Sequence, residues 1–496
     1  MGLVQRQSIK YSIVNWAGVL IGVLSTLFVY PHALEEYGLM RFIIDTSTLV
    51  YPFVSLGMNS LIIRFFPRFE DKEKGHHGFL FLLVTWGLIG YVVVAVVALF
   101  FWKDILGFYA GRSPLFSEYL WLLFPVLFIT LLNSIFHQYS IGFRRIVVPS
   151  LLIDFSQKIA LPLLVVAYWQ QWISLRIMLV GVVVYMLLVT VGFVWYIVTL
   201  GGWRWKPDFE FFNKKLFREM LDYAIFGIVG GAGYMVVSRL DTWLVGTFVS
   251  LKSNGIYSIS MFIASVLEVP TRAIVGISIP LIAKHWHDQN TAEISVLYRQ
   301  ASINLLIAGL FLFGSFWVSV EPFFKIIVNG EMLEAGKWVI LLLGIGKLVD
   351  MATGLNNYVL NYSKFYRYSY LQIALPAILS VSLGLWLVPK MGIMGAAITA
   401  LCSTVLFNLI SLMLNWYFFK MQPFSFGALK ALAISVAAFA ATWFLPMPGD
   451  PWLAVCLKSG TFAVLFGAAV LWLRLSPELN KMFDKLMKVE SGLRKG

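Results

Sequence analysis

The amino-acid sequence predicts an all-α polytopic membrane protein with about 14 transmembrane helices. Of its 496 residues, 59% are hydrophobic and only 13% are charged, whereas soluble proteins have about 45–50% apolar and about 25% charged residues. The apolar residues form long runs, and most runs exceed the roughly 18 residues that a helix needs to cross a bilayer. Strands of a membrane barrel would be shorter and would alternate polar with apolar residues, which these runs do not.

Fourteen apolar runs follow one another along the chain, joined by short polar loops. We predict one transmembrane helix for each run. The predicted spans are residues 11–31, 42–64, 78–102, 117–141, 149–168, 176–200, 221–249, 256–281, 300–325, 336–360, 368–388, 392–419, 425–445 and 452–474.

Lysine and arginine residues are distributed unevenly between alternate loops. The loops on the side of the N-terminus carry 25 of them, and the opposite loops carry 9. Because basic loops stay in the cytoplasm, both termini are predicted to be cytoplasmic. The net charge of +13 then reflects this topology and contact with anionic membrane lipids, so we expect no nucleic-acid partner.

The chain contains an internal repeat. Residues 36–69 (span 2) and 253–286 (span 8) each begin with a glycine near the start and carry a mid-helix proline, Pro52 or Pro270. The copies are six spans apart, an even number, so the two halves point the same way as parallel repeats. This predicts a six-helix bundle in residues 1–200, a basic linker in 201–220, a second six-helix bundle in 221–420, and two extra helices with a basic tail in 421–496.

Ionisable side chains lie within the predicted spans, where an isolated charge costs roughly 2.5–3.5 kcal/mol. The cations are Arg64, Lys158, Arg239, Arg272 and Lys347, and the acids are Asp45, Asp154, Asp241, Glu268 and Asp350. Charges three or four residues apart share a helical face, so one interpretation is that they pair and join helices. We favour a hydrated cavity bordered by these charges, because small and neutral polar residues suffice for helix packing.

The cations predict an anionic ligand. The planar guanidinium group donates two parallel hydrogen bonds to a phosphate, so we expect Arg239 and Arg272 to bind an anionic substrate. Lys158, Lys347 and Arg64 are further candidate substrate-binding residues. The acids are candidates for coupling transport to H+ or Na+, or for charge pairing. No other cofactor and no metal site is predicted.

Span 7 carries Arg239 and Asp241 two residues apart. On a regular helix such positions diverge by about 200°, so we expect each side chain to face a different neighbour. Glycines upstream weaken the helix and predict a hinge, although they also suit close helix packing. The candidate hinge residues are Gly227, Gly230, Gly231, Gly233, Pro52 and Pro270.

The sequence has no motif that is typical of an enzyme. It lacks a carboxylate pair spaced for acid–base chemistry, a glycine-rich phosphate loop and a nucleophile motif. His76 and His77 are predicted to lie in a solvated loop. Cys402 and Cys456 have neither a disulfide framework nor metal-ligand spacing. These absences favour a membrane protein that moves a substrate without transforming it.

The chain resembles the polysaccharide-exporter branch of the MOP superfamily, which includes the O-antigen-type (Wzx-like) flippases. The resemblance rests on the pattern YGLM…P…SLGM…IIRF around Gly38 to Arg64, and on RLDTWLVGTFVSLKSNGIYSIS from Arg239 to Ser260. The predicted span count and the six-span repeat extend it over nearly the whole chain.

This resemblance implies two MATE-like bundles around a central cavity in the bacterial cytoplasmic (inner) membrane. The implied activity is translocation of an undecaprenyl-diphosphate-linked oligosaccharide, the repeat unit of O-antigen, capsule or exopolysaccharide, by alternating access. Arg272 matches a cavity arginine of the related lipid II flippases, whereas span 1 has no cation beyond Lys10, which argues against lipid II. The implied partners are membrane lipids, the lipid-linked oligosaccharide, a polysaccharide polymerase and other assembly proteins, and a monomer suffices for the activity.

Three other functions are compatible with a polytopic membrane protein. The strongest is a cation-coupled (H+ or Na+) multidrug or small-molecule exporter of the same fold, whose cavity should be dominated by unpaired acids, while here acids and bases are mixed. A polysaccharide polymerase or ligase uses a large outer loop, and all the predicted outer loops are short. A structural scaffold would not need so many buried charges.

Overall fold

The computed structural model describes residues 3–71, 73–143, 145–203, 205, 207–208, 211–446 and 448–481, and the regular structure in these ranges is helical, without strands. Part of the predicted linker, including Arg204 and Lys206, and the predicted basic tail from residue 482 onward lie outside the described residues. The chain divides into two compact units, which are Met1–Ile259 with Ser380–Ala396, and Ser260–Leu379 with Ala397–Gly496. The predicted bundle boundaries at residues 200 and 221 stay a prediction.

The first unit is built from long and short helices, and side chains cap the beginnings of α10 and α11. Its helices are α1 (Leu3–Phe28), α2 (Leu34–Ser55), α3 (Met58–Phe69), α4 (Phe79–Phe100), α5 (Trp102–Ala110), α6 (Pro114–Tyr119), α7 (Leu123–Gly142), α8 (Val147–Ser150), α9 (Ser156–Trp169), α10 (Leu175–Thr199), α11 (Lys214–Phe248) and most of α12 (Leu251–Ser265). At the start of α11, the Asn213 side chain accepts a hydrogen bond from the Leu216 N–H at 2.8 Å, which satisfies a donor that the helix itself leaves unpaired.

The second unit contains most of the remaining helices. They are α13 (Val269–His287), α14 (Thr291–Trp317), α15 (Val320–Ile326), α16 (Gly330–Leu333), α17 (Lys337–Thr353), α18 (Asn356–Asn361), α19 (Ser369–Met391), α20 (Ile393–Phe419), α21 (Phe426–Trp443) and α22 (Pro451–Trp472). The end of α19 and the beginning of α20 belong to the first unit. A 3₁₀ turn, Val266–Glu268, precedes α13, and Pro270 lies in the first turn of α13, where a missing N–H is tolerated.

Two predicted spans are interrupted by residues with positive φ angles. Span 2 was predicted as one helix over residues 42–64, but α2 ends at Ser55, and Leu56 and Gly57 have φ angles of 46° and 74° before α3 begins. Span 10, predicted over 336–360, breaks at Gly354, whose φ is 60°. A glycine is required at position 57 for two reasons. Its φ angle is left-handed, and a Cβ there would lie 2.2 Å from the Ala224 carbonyl oxygen.

Every predicted span overlaps a helical segment, but fewer helices meet the criteria for crossing a membrane. Among the described residues, eleven helices are long and apolar enough, or up to twelve if the pair formed by Val14–Phe28 and Tyr30–Ser55, which bends by 46°, is one span. The count of fourteen and the cytoplasmic position of both termini stay predictions.

The prediction of a solvated loop for His76 and His77 is wrong. Both residues are buried, with left-handed φ angles of 52° and 51°. The His77 Nδ1 lies 2.8 Å from an Asp208 carboxylate oxygen, and the His77 ring stacks on Phe211 at 3.9 Å. The Lys74 backbone N–H donates to Asp71 and lowers the pKa of that carboxyl, which lies 3.8 Å from the His77 Nε2. These contacts therefore hold His77 in a buried position.

In the first unit, α2 is central and packs against α4, α7 and α11. The core beside it is filled by large side chains such as Phe65, Leu83, Leu131 and Phe193, each fully buried. In the second unit, α14 is central and contacts α13, α17, α21 and α22. Gly314 of α14 leaves room for the Phe462 ring of α22, since a Cβ at Gly314 would lie 2.1 Å from that ring. The two C-terminal helices are thus fitted to α14 of the second unit.

Candidate functional site

Three charged side chains meet on the α2 and α11 helices of the first unit. The Arg41 Nη2 donates to both Asp45 carboxylate oxygens, at 2.9 and 3.2 Å. The Arg239 Nη1 of α11 lies 3.3 Å from Asp45 Oδ1. Asp45 is only 1% exposed, Arg41 is 17% exposed and Arg239 is 33% exposed. These three side chains carry a formal charge of +1, and the Asp241 carboxylate lies within electrostatic range of Arg239 and Asp45.

Arg41 was not among the predicted site residues, because it precedes the predicted span 2. In the structure, α2 begins at Leu34 and carries Arg41 in its second turn. The spacing of Arg41 and Asp45, four residues apart on one helical face, is the signal that would have found this pair. Arg239 and Asp45 are 194 residues apart in the sequence, and their contact follows only from the packing of α2 against α11.

Arg239 and Asp241 face different neighbours, as predicted from their spacing. Arg239 reaches Asp45, while the Asp241 Oδ2 accepts a hydrogen bond from the Tyr257 hydroxyl at 2.7 Å. The Asp241 Oδ1 accepts from the Thr242 backbone N–H at 2.8 Å. Tyr257 is completely buried. Asp241 is therefore held by neutral donors, while Arg239 is held by an acid.

One stripe of α11 faces α2 and α3 along most of its length, and we call this contact the α11 seam. The seam pairs Tyr223 with Arg64, Gly227 with Gly57, Gly231 with Pro52, Arg239 with Asp45, and Gly246 with Phe42. The numbers rise on α11 as they fall on α2 and α3, so the helices run antiparallel. From Tyr223 to Arg239 the stripe covers about 24 Å at 1.5 Å per residue.

The candidate hinge glycines of α11 serve two different purposes. A Cβ at Gly227 would lie 2.9 Å from the Gly57 carbonyl oxygen, so Gly227 permits close packing. A Cβ at Gly230 would have no atom within 4 Å, and one at Gly231 would touch only Pro52. The helix is continuous from Lys214 to Phe248, and a hinge in it stays a prediction.

The second unit has its own ion pair. The Lys347 Nζ of α17 lies 2.5 Å from Glu268 Oε1, in the 3₁₀ turn before α13. Both side chains are about one-third exposed. Arg272, one helical turn beyond Glu268 in α13, has an exposed side chain. The structure thus brings Glu268 and Lys347 together from different helices.

Asp350 belongs to a polar network of the second unit that involves α17, α18 and α20. The Asn408 amide group donates to the Asp350 carboxylate. The amide oxygen of Asn408 accepts from the Thr353 hydroxyl at 2.6 Å and from the Asn356 amide at 2.9 Å. Sequence reasoning found Asp350 but not Asn408, which sits in an apolar run with no charge beside it.

The remaining candidates of the first unit lie apart from the Arg41–Asp45–Arg239 cluster in the sequence and on other helices. The Lys158 Nζ of α9 lies 3.1 Å from where a Cβ on Gly18 would be, so Gly18 of α1 provides its space. Asp154 is exposed in a π-helical turn, Leu151–Phe155, a rare conformation that is often found at functional sites. The exposed guanidinium of Arg64 lies 4.4 Å from the centre of the Tyr223 ring.

The charged and amide side chains of this site interact through ion pairs and hydrogen bonds. Within the described ranges, no group of three or more His, Cys, Asp or Glu residues is arranged to hold a metal ion. A partly exposed guanidinium beside a buried carboxylate binds anions well, because its remaining N–H groups still point to accessible space.

A family model described as "Polysaccharide biosynthesis protein" matches residues 33–286, just over half of the 496-residue chain. The matched range contains α2, α11 and all three residues of the charged cluster. No curated protein matches the chain.

Several solved structures resemble the chain. One is a lipid II flippase MurJ in an inward closed conformation, with a TM-score of 0.72, 12% identity and coverage of 94% of this chain and 99% of that chain. A second is an inward-facing multidrug resistance MATE family transporter of the MOP superfamily, with a TM-score of 0.59, 13% identity and coverage of 82% and 94%. A third is a MOP superfamily transporter from Pyrococcus furiosus, with a TM-score of 0.56, 13% identity and coverage of 84% and 94%.

These likenesses confirm the predicted fold at the level of an all-helical fold like those of MurJ and of MATE transporters. The three names describe a flippase and two transporters, and none describes an enzyme. This agrees with the lack of a catalytic motif in the sequence.

Proposed function

Because the chain belongs to the polysaccharide biosynthesis protein family, we propose that it is a flippase for undecaprenyl-diphosphate-linked oligosaccharide in the bacterial inner membrane. The observation that supports this proposal most is the Arg41–Asp45–Arg239 cluster, in which two arginines share one buried carboxylate and the Arg239 guanidinium is one-third exposed. A guanidinium at membrane depth that keeps donors exposed favours an anion as its ligand.

The Arg239 guanidinium is the group that we assign to the diphosphate. Asp45 occupies part of its donor capacity, and a guanidinium carries five N–H donors in a planar fork. A phosphate accepts two parallel bonds from such a fork, which a lysine does not provide. Arg272, Lys158, Lys347 and Arg64 remain proposed substrate-binding residues, which contribute further positive charge along the path.

The proposed mechanism is alternating access between two six-helix bundles. In this proposal the sugars occupy a hydrated cavity, the diphosphate meets the cationic side chains, and the prenyl tail stays in the lipid. We assign coupling to H+ or Na+ to Asp241 and Asp350, because the hydrogen bonds to their carboxylates come from neutral groups. A polysaccharide polymerase and other assembly proteins are the proposed partners, and a monomer suffices.

The proposal is tested by deleting the gene in its host and measuring lipid-linked oligosaccharide in the inner leaflet. We expect accumulation that the wild-type chain reverses and that Arg239→Ala does not. Arg239→Lys should restore only part of the activity, because it keeps the charge but loses the fork. Truncation of a charge-assisted contact predicts a loss of about tenfold or more in transport rate.

The matched control is Arg112→Ala. Arg112 is an exposed arginine that lies over the Phe108 ring, so its removal should leave transport unchanged. All variants must reach the membrane in equal amounts. If the deletion strain accumulates no lipid-linked oligosaccharide and instead becomes sensitive to small cationic compounds, the flippase proposal is wrong and the exporter alternative replaces it.

A further inference from the structure

The α11 seam contains two ion pairs and several contacts of small residues: Arg239–Asp45 joins α11 to α2, and Arg68–Glu219, 2.8 Å apart, joins α11 to α3. Along the described parts of α2 and α11, Arg239–Asp45 is the ion pair that joins the two helices. The seam contacts on either side of it place glycines, Gly231 and Gly246, against Pro52 and Phe42. Such contacts allow close van der Waals packing but involve no charge. The ion pair is therefore the charged contact between α2 and α11.

Asp45 has a second arginine partner, and that contact does not depend on Arg239. Arg41 lies on the same helix as Asp45 and binds both of its carboxylate oxygens. A buried carboxylate that loses its only partner is strongly destabilised. If Arg239 leaves, Asp45 keeps a partner and stays neutralised, so this loss is avoided. Arg239 can therefore exchange its carboxylate partner, whereas Asp45 stays bound to Arg41.

We propose that a phosphate anion displaces Asp45 from Arg239 and thereby releases α2 from α11, with Arg41 as the positioning residue that retains Asp45. This inference rests on the proposed function, from which the phosphate of a lipid-linked diphosphate is the expected ligand. It goes beyond that function by linking ligand binding to the opening of a particular helix contact.

The geometry favours the exchange in three respects. Arg239 is one-third exposed, so an anion reaches it without unfolding the seam. Its contact with Asp45 is a single 3.3 Å approach, whereas Arg41 makes two hydrogen bonds to the same carboxylate. A phosphate with two negative charges forms paired hydrogen bonds with a guanidinium, and it does not need to enter the buried side of the cluster.

The seam offers a direct test by disulfide cross-linking. A Cβ at Gly231 would lie 3.8 Å from the Pro52 Cβ, which is close to the typical separation of about 3.8 Å in a disulfide. The double variant Pro52→Cys/Gly231→Cys is made in a chain whose two native cysteines are replaced, Cys402→Ser and Cys456→Ser. The rate of oxidative cross-linking is then measured on the purified full chain in nanodiscs.

The probes are inorganic pyrophosphate, undecaprenyl diphosphate in the same nanodiscs, and sulfate at matched ionic strength. We expect both diphosphates to slow cross-linking about fivefold or more, as the closed seam becomes a minor state, and sulfate to act less. Adding Arg239→Gln should abolish the effect. Adding Arg41→Gln should raise the pyrophosphate concentration that gives half-maximal slowing of cross-linking about tenfold or more. The exchange would then leave the buried Asp45 carboxylate without an arginine partner.

Cross-linking that is equally fast with and without both diphosphates would overturn the exchange. Slowing that persists in Arg239→Gln would also overturn it, because the anion would then act elsewhere. The single variant Gly231→Cys gives a second measurement, since its alkylation should rise when pyrophosphate opens the seam. If cross-linking is insensitive to diphosphate but the deletion strain still accumulates lipid-linked oligosaccharide, the exchange fails and the proposed function stands.

Discussion

Asn408 illustrates how a single neutral residue supports a charged one. Its amide donates to Asp350 and accepts from Thr353 and Asn356. We expect Asn408→Ala to leave these buried groups without partners and to destabilise the fold by about 1–3 kcal/mol. The measurement is the apparent melting temperature of the purified protein in detergent. Asn361→Ala is the control, because the Asn361 side chain is exposed, and an equal fall in both variants would contradict the network.

At the scale of residues, the sequence predicted charged residues within helices but did not predict which residues they pair with. Spacings of three or four residues suggested same-helix pairs, yet Lys347 meets Glu268, which is 79 residues away. Arg239 meets Asp45 on another helix. Periodicity reports which residues share a face of one helix, whereas these contacts depend on how two helices pack. Arg41 and Asp45 do pair within one helix, as a spacing of four residues predicts.

At the scale of helices, Gly227 and Gly230 of α11 make a matched pair for substitution. Gly227→Ala should push α11 away from Gly57 and cost about 1–3 kcal/mol, since its Cβ would lie 2.9 Å from a backbone oxygen. Gly230→Ala meets open space and should gain roughly 0.5–1 kcal/mol of helix stability. Melting temperatures of the two variants test this. A hinge at Gly230 further predicts slower transport despite the higher stability, and unchanged transport would count against the hinge.

The positions of the helices were predicted well, but the breaks within them were not. Each apolar run coincides with helical structure, because length and hydropathy are local properties of the sequence. The breaks at Leu56–Gly57 and at Gly354 interrupt apolar runs without lowering their hydropathy. Pro52 gave a hint of the first break, but the left-handed turn lies four residues beyond it. An apolar run that contains a glycine has the same composition whether that glycine packs against a neighbour, bends the helix or ends it.

At the scale of the whole molecule, composition alone predicts a polytopic helical membrane protein, and the eleven or twelve candidate spans among the described residues and the likeness to the all-helical MurJ fold agree with this. The number of spans is harder to predict, because short helices such as α15 and α18 continue an apolar run without crossing on their own. The orientation rests on 25 basic residues in one set of loops and 9 in the other. It is a property of the chain in its membrane and stays a prediction.

The most direct test of the central claim is a translocation assay with purified protein in bacterial phospholipid vesicles. An undecaprenyl-diphosphate-linked oligosaccharide is placed in both leaflets, and a membrane-impermeant glycosidase outside reports the accessible fraction over time. We expect wild-type vesicles to expose the protected half of the substrate, and Arg239→Ala vesicles to do so about tenfold or more slowly. A protected fraction that stays as stable in wild-type vesicles as in protein-free vesicles would contradict the account.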